Sequence, residues 1–226
     1  MMIIGVVCLR NSLKAADWPQ WRGPERNAHS DEHLTSTHWE KNPPKHLWTV
    51  SGFGKGYASG AIVKGTLYTL GNTDGGQAVI AAKADDGSIL WKKVITDANP
   101  QHDLEGSRCT PSVDGDRLYV VTSNGSIACL KSDNGDAVWQ RQFSDWGGKM
   151  MSGWGYSESP LVDGHLIFRY QDGTVALIEA TPTAYHLKGS FSPDFQEGNS
   201  WAHPVVVKGK LYLREQDKLM CYQVGE

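Results

Sequence analysis

The sequence predicts an all-β chain built from about four copies of one four-stranded antiparallel unit. Three observations carry that expectation: a short segment recurs along the chain, turn residues subdivide each recurrence, and apolar residues nowhere hold a sustained helical period. The 226 residues include 25 glycines, 10 prolines and 9 tryptophans, with 39% hydrophobic and 21% charged. Those proportions exclude a coiled coil, a helical bundle and a disordered low-complexity chain, and they leave enough apolar surface for a core.

The recurring segment appears four times, at Ala61 to Tyr68, Pro111 to Tyr119, Pro160 to Ile167 and Pro204 to Tyr212. Its shared glycines, Gly65, Gly115, Gly164 and Gly209, are spaced by 50, 49 and 45 residues. Lys64-Gly65, Asp114-Gly115 and Asp163-Gly164 suit tight hairpin turns, because glycine takes the positive φ that primed turns require. A second turn follows at Asn124-Gly125 and Asp172-Gly173, each ahead of an apolar run. A third, Asp86-Gly87 or Asn134-Gly135, precedes Ile89-Leu90-Trp91 or Ala137-Val138-Trp139. Three turns separate four strands, and a four-stranded repeat of about 50 residues is the arithmetic of a β-propeller blade.

The repeats span residues 57–95, 108–143, 156–191 and 201–224 within a propeller region of 57–226. Polar linkers at 96–107, 144–155 and 192–200 read as loops, and helix is confined to a turn or two near His29 to Glu40. The fourth unit stops after its third strand, Lys218 to Tyr222. Lys45-His46-Leu47-Trp48-Thr49-Val50 resembles the Trp-bearing fourth strand of the first two units, so residues 17–56 read as an N-terminal arm and a candidate closing strand. Pairing of that strand with the last unit would join the termini and remove exposed sheet edges. A small closed ring, an incomplete arc and a larger ring shortened near Gly164 all satisfy the pattern.

The formal net charge is −3 and no run of five like charges occurs, so the basic footprint of nucleic-acid binding is missing. No stretch has the apolar length of a membrane span. Residues 1–16 read as the remnant of a secretory signal: an apolar Met1 to Leu9, then Ala15-Ala16 before Asp17. Export to the periplasm or the extracellular space is therefore expected. Cys8, Cys109, Cys129 and Cys221 are too far apart for a zinc site and read as buried thiols. His29, His33, His38 and His46 lack a ligand spacing, and no metal is expected.

Ala84-Asp85-Asp86-Gly87-Ser88-Ile89-Leu90-Trp91 and Ser132-Asp133-Asn134-Gly135-Asp136-Ala137-Val138-Trp139 each end a turn in a tryptophan. Together with the opening Asp17-Trp18-Pro19-Gln20-Trp21-Arg22-Gly23-Pro24, they resemble the PQQ-like β-propeller repeat proteins, which include outer-membrane assembly lipoproteins of the BamB type. The resemblance covers residues 17–224. It implies that Trp91 and Trp139, with Trp48, are structural wedges between blades, each costing about 3–5 kcal/mol to remove. Propellers of that family usually have seven or eight blades, and this sequence encodes four. Quinoprotein dehydrogenases resembling the family hold quinone and calcium with vicinal cysteines and acidic side chains. Adjacent cysteines occur nowhere here, so no cofactor is expected.

Propeller sites lie over the central channel, where the innermost strands converge. Arg108, Glu158, Trp201 and His203 precede the shared turn at one level, and Glu158 with His203 offers an acid/base pair. The competing account is a satisfied hydrogen-bond network lining a water-filled channel. The aromatic, glycine-rich loop Asp145 to Tyr156 offers Trp146, Trp154 and Tyr156 as a rim for a sugar or a peptide, against plain packing beneath a blade connection. Trp18, Trp21 and Arg22 read as an arm capping the propeller. Arg108, Trp154, Tyr156, Glu158, Trp201 and His203 are thus the ligand-binding candidates, with no residue assigned to catalysis. The function expected is an exported, non-enzymatic scaffold for a protein or polysaccharide partner. The alternative is a quinone-dependent dehydrogenase or a carbohydrate-active enzyme at the channel.

Overall fold

The computed structural model describes residues 17–28, 30, 46–103, 105–147, 153, 155–157, 159, 165–169, 173–180, 183–196, 205–207, 210–215 and 218–223. Short apolar runs broken at turns fold into β1 (Ala61–Val63), β2 (Thr66–Thr73), β3 (Gly76–Lys83), β4 (Ile89–Val94), β5 (Ser112–Asp114), β6 (Arg117–Val121) and β7 (Ser126–Lys131). They continue as β8 (Ala137–Gln142), β9 (His165–Arg169), β10 (Val175–Ala180), β11 (Tyr185–Phe191), β12 (Val205–Val207), β13 (Lys210–Glu215) and β14 (Lys218–Gln223). Neighbours in sequence pair antiparallel to give four sheets, β1–β4, β5–β8, β9–β11 and β12–β14, termed blades 1 to 4. The chain is therefore all-β and built of propeller blades, as the repeats predict.

The hairpins show how local sequence sets register. Lys64 and Gly65 both take positive φ, 50° and 77°, in a two-residue turn between Val63 and Thr66. The expected Asp114-Gly115 turn is shifted by one residue. Blade 2 has one more residue between Val113 and Leu118 than blade 1 has between Val63 and Leu67, so Asp114 ends β5 opposite Arg117 and the turn is Gly115-Asp116. Only Gly115 there needs positive φ, at 57°. Asp163-Gly164 lies outside the described residues, as do residues 1–16, expected to be a signal remnant, and, except for Ser30, the candidate helical stretch. Phe143–Trp146 forms a 3-10 turn that runs from the last residue of the second repeat into the linker expected to be loop.

Pairing between the third and fourth strands slips once in each of blades 1 to 3, after Ala81, Cys129 and Leu177. The residue opposite is Trp91 in blade 1, Trp139 in blade 2 and Gly189 in blade 3. Side chains alternate across each sheet, so the row holding that tryptophan faces the next blade. Tyr68, Leu70, Val79 and Ala81 of blade 1 pack on Leu118, Val120, Ala128 and Leu130 of blade 2. Tyr119, Val121, Ile127, Cys129 and Trp139 of blade 2 pack on Ala176 and Ile178 of blade 3. At the third junction, among the described residues, Val175 of blade 3 meets Met220 and Tyr222 of blade 4, and the Phe191 and Tyr222 rings stand 5.1 Å apart.

Polar staples cross the first junction. Gln77 is fully buried; its side chain accepts from the Ser123 N–H at 2.9 Å and donates to Asn72 Oδ1 at 2.7 Å and Ser123 Oγ at 3.1 Å. Gln140 of blade 2 donates to the Ile95 carbonyl and to Ser126 Oγ, both at 2.8 Å. The Tyr68 hydroxyl donates to the Ser132 carbonyl at 3.1 Å. Every one of these polar groups thus recovers across the interface what it loses by leaving water.

The N-terminal arm lies on the inner edges of the first two blades. Trp18 bridges Ile62 through hydrogen bonds of 2.7 and 2.8 Å, and the Pro19 carbonyl accepts from Val113 N–H at 2.8 Å. Asp17 accepts from the Lys64 N–H at 2.9 Å. Residues 46–50 form no strand, so pairing of this candidate closing strand with β14 is not shown. Trp48 instead rests on the third-turn glycine of blade 1, where a Cβ on Gly87 would sit 2.8 Å from its ring. Trp91 rests in the same way on Gly135 of blade 2, at 2.7 Å.

Candidate functional site

Two chain segments leading into the inner strands run side by side at the rim of blades 1 and 2. Gly56 and Ser107 form a parallel bridge, the Tyr57 N–H donates to the Ser107 carbonyl at 2.6 Å, and Ser107 Oγ donates to the Leu70 carbonyl at 2.5 Å. The backbones approach closely because glycine stands on both sides: a Cβ on Gly106, at φ 125°, would lie 2.7 Å from the Gly56 Cα. This contact holds Tyr57 outward, 61% exposed. The Arg108 guanidinium lies 5.8 Å from the Tyr57 ring centroid and donates to the Gly106 carbonyl at 2.9 Å. Beside them, Lys55 and Glu105 form an exposed 3.1 Å ion pair. The result is an aromatic face with a cation held over it, bordered by a charged pair.

Close to Arg108 the two inter-blade linkers meet. The Asp103 N–H donates to the Gly153 carbonyl at 2.8 Å, and Gly155 leaves no room for a Cβ beside His102 Nε2, 2.6 Å from where it would lie. His102 Nε2 is buried without a hydrogen-bond partner. Burial first, and the Arg108 charge second, hold the ring below the usual histidine pKa. Asp103 and the Ser123 carbonyl oppose that shift, although the carbonyl makes no hydrogen bond to Nε2.

The sequence candidates separate as follows. Arg108 turns to Tyr57 and its own loop. Tyr156 packs its ring edge-on against Phe143 at 4.9 Å and over Gly125, and its N–H donates to the Ser123 carbonyl at 2.9 Å. Ser159 Oγ accepts from the Thr110 N–H at 3.0 Å, which brings the stretch after Tyr156 beside the one after Arg108. Glu158, His203, Trp154 and Trp201 lie outside the described residues, so the acid/base pair has no described geometry. Trp139 is buried against Tyr119 at 6.2 Å, and Trp91 is half-buried against Tyr68 at 6.1 Å. Arg22 sits 5.3 Å over the exposed Trp21 ring on the arm. Tyr57 is not among the sequence candidates: its pairing with Arg108, across 51 positions, has no local signal.

No two cysteines are adjacent in the sequence, so the vicinal pair that holds quinone in the quinoproteins has no counterpart here. Cys109 and Cys129 are buried in the junction between blades 2 and 3. Cys109 Sγ accepts from Val121 N–H at 3.3 Å, and burial pushes the Cys129 thiol up to about 11. Among the described residues no group of three or more His, Cys, Asp or Glu could hold a metal ion. A groove of about 440 Å³ does open on blade 1, between Trp48, Val50 and Phe53 on one side and Leu67, Thr69 and Leu70 on the other.

Residues 32–226 match the family described as outer membrane protein assembly factor BamB. The outer membrane protein assembly factor BamB of Shewanella oneidensis is 30% identical over 97 residues, 41% of this chain and 23% of that protein. The crystal structure of BamB from Moraxella catarrhalis has a TM-score of 0.54 at 18% identity, covering 79% of this chain and 49% of that one. A quinohemoprotein alcohol dehydrogenase, ADHIIG of Pseudomonas putida HK5, has a TM-score of 0.60 at 16% identity, covering 88% of this chain and 34% of that one. At such identities both structures show the fold alone. The chain spans about a quarter of its curated relative's length and half of the solved BamB. Among the described residues no helix is long and apolar enough to cross a membrane.

Proposed function

This chain belongs to the family of outer membrane protein assembly factor BamB, and from that premise we propose that it is an exported, non-enzymatic scaffold that binds a protein partner in outer-membrane protein assembly. The observation that carries the reading is the Tyr57–Arg108 platform. Tyrosine and arginine dominate the energetics of protein interfaces, because each buries a large surface and still offers hydrogen bonds. Here the guanidinium is already stacked on the ring and tied to the Gly106 carbonyl, so little side-chain freedom remains to be lost on binding. The platform stands on a Gly56–Ser107 backbone contact and not on a long free loop, which makes it a rigid face.

A photo-crosslinking residue in place of Tyr57, in the chain expressed in the periplasm of a Gram-negative host, should give a discrete adduct with a protein of the outer-membrane assembly apparatus. The same residue in place of Lys64, at a hairpin away from the platform, should give none. Adducts of equal yield at both places, or none at Tyr57, would defeat the proposal. Saturable binding of a polysaccharide that Tyr57→Ala abolishes would transfer the site to the other partner class. The dehydrogenase reading predicts that pyrroloquinoline quinone with calcium raises the melting temperature saturably; the scaffold reading predicts no change.

A further inference from the structure

His102 joins two connections that are distant in the chain. Its ring packs against Gly155, whose φ of 73° and missing Cβ let the backbone close on Nε2. A Cβ on Gly155 would stand 2.6 Å from both Nε2 and the Ser123 carbonyl oxygen. Around the ring the same segments are tied by backbone bonds. The Asp103 N–H donates to the Gly153 carbonyl at 2.8 Å, and the Tyr156 N–H donates to the Ser123 carbonyl at 2.9 Å. Ser123 is itself fixed from blade 1, because its N–H donates to Gln77. Blade 1, blade 2 and the start of the third repeat therefore converge on one imidazole.

The place that holds this ring makes no provision for a positive charge. Nε2 is buried and has no hydrogen-bond partner. A neutral ring can keep a lone pair there, whereas a protonated ring puts an N–H and a charge where neither water nor an acceptor receives them. Among the described residues, the groups that face it do not offset that cost. On its own segment Arg108 opposes a second positive charge and Asp103 favours one. The loop between β6 and β7 offers the Ser123 carbonyl, and Gly153 and Gly155 bring no charge. Burial and Arg108 outweigh Ser123 and Asp103, so the assembled contact holds the ring neutral.

We propose that His102 is an acid-released latch between the connection from blade 1 to blade 2 and the connection from blade 2 to blade 3. Protonation at Nε2 expels the ring from its place against Gly155, and the Asp103–Gly153 and Tyr156–Ser123 bonds break with it. The Tyr156 ring then leaves the bed formed by Phe143 and Gly125. The Gln77 staple and the Gly56–Ser107 bridge lie outside the latch and persist. Acid thus turns a packed aromatic side chain into an accessible one while both blades stay folded. For an exported chain this couples ambient acidity to the surface offered to a partner, although the latch itself does not rest on that partner.

Amide hydrogen exchange on the whole chain, corrected for the intrinsic rate at each pH, reads the latch at its two bonds. Between about pH 8 and about pH 5 the protection of the Asp103 and Tyr156 amides should fall by up to about tenfold per pH unit below about 6.5, because the proton binds the open form more tightly. The Lys131 amide, which donates to the Asp136 carbonyl at 2.9 Å at the far end of blade 2, should keep its protection. His102→Gln cannot take up the proton and should hold the Asp103 and Tyr156 values level. Wild-type protection at those two amides that does not fall with pH overturns the proposal, as does an equal fall at Lys131, the mark of global unfolding. So does a His102→Gln chain that keeps the wild-type profile. If that variant does not fold, the His102 ring titration in the wild-type NMR spectrum decides: a midpoint below about 6.5 is expected, and one at or above it overturns the latch. Each readout is taken without a partner, so a latch that fails leaves the Tyr57 platform standing, and the reverse.

Discussion

Replacing Gln77 by leucine should destabilise the protein by about 4 kcal/mol while barely changing side-chain volume. The figure comes from the bonds lost. The Ser123 N–H loses its 2.9 Å acceptor and Asn72 Oδ1 its 2.7 Å donor, both inside the junction between blades 1 and 2. A buried polar group left without a partner costs about 1–3 kcal/mol, so two cost about 2–6. Ser123 Oγ, at 3.1 Å, can rotate and is left out. Urea denaturation followed by tryptophan fluorescence reads the loss through Trp91, which lies at this junction, and Trp139, which lies at the next one. The reasoning makes a sharper claim as a double-mutant cycle. Asn72→Leu removes the orphan that Gln77→Leu creates, so the double variant should be more stable than the sum of the singles by about 1 kcal/mol or more. A Gln77→Leu cost below about 1 kcal/mol, or strict additivity, would refute the idea that this amide staples the blades.

Gly135→Ala should cost about 1–2 kcal/mol for its φ of 75°, plus a further loss from the Trp91 ring 2.7 Å away, and the second part should vanish in a Trp91→Ala background when melting curves are compared. Gly71→Ala, whose Cβ would meet the Phe53 carbonyl oxygen at 1.8 Å, should lower the melting temperature far more than Gly65→Ala, where the surroundings are open. His102 is held below its ordinary pKa, so the unfolded chain takes up its proton first; stability should fall as pH drops through about 6.5 and below, and His102→Gln should flatten that fall in melts run from pH 8 to pH 5.

Much of the architecture is legible in the sequence because each blade repeats the same local chemistry. Period-two apolar runs, turn glycines and terminal tryptophans are all short-range signals, and they place β5 to β8 almost residue by residue. The one-residue shift of the Gly115 turn is a local effect that a shared-glycine alignment hides, since aligning glycines conceals the extra residue. The binding platform is less legible. Arg108 is visible as a charge before an inner strand, but its ring partner comes from the preceding blade. Gln77 has no signal at all, because a buried amide within an apolar strand looks like an interruption until the neighbouring blade supplies Ser123. Tyr156 shows the same difficulty in reverse: composition suits it to a rim, while Phe143 and Gly125 provide a bed for its ring.

Gly189 stands where Trp91 and Trp139 stand in the blades before it, so among the described residues the third junction has no indole and is held by the Phe191, Met220 and Tyr222 contacts. Resistance to heat or to proteases should therefore be graded along the polypeptide. The C-terminal sheet should unfold first, while the two N-terminal sheets persist as a nucleus.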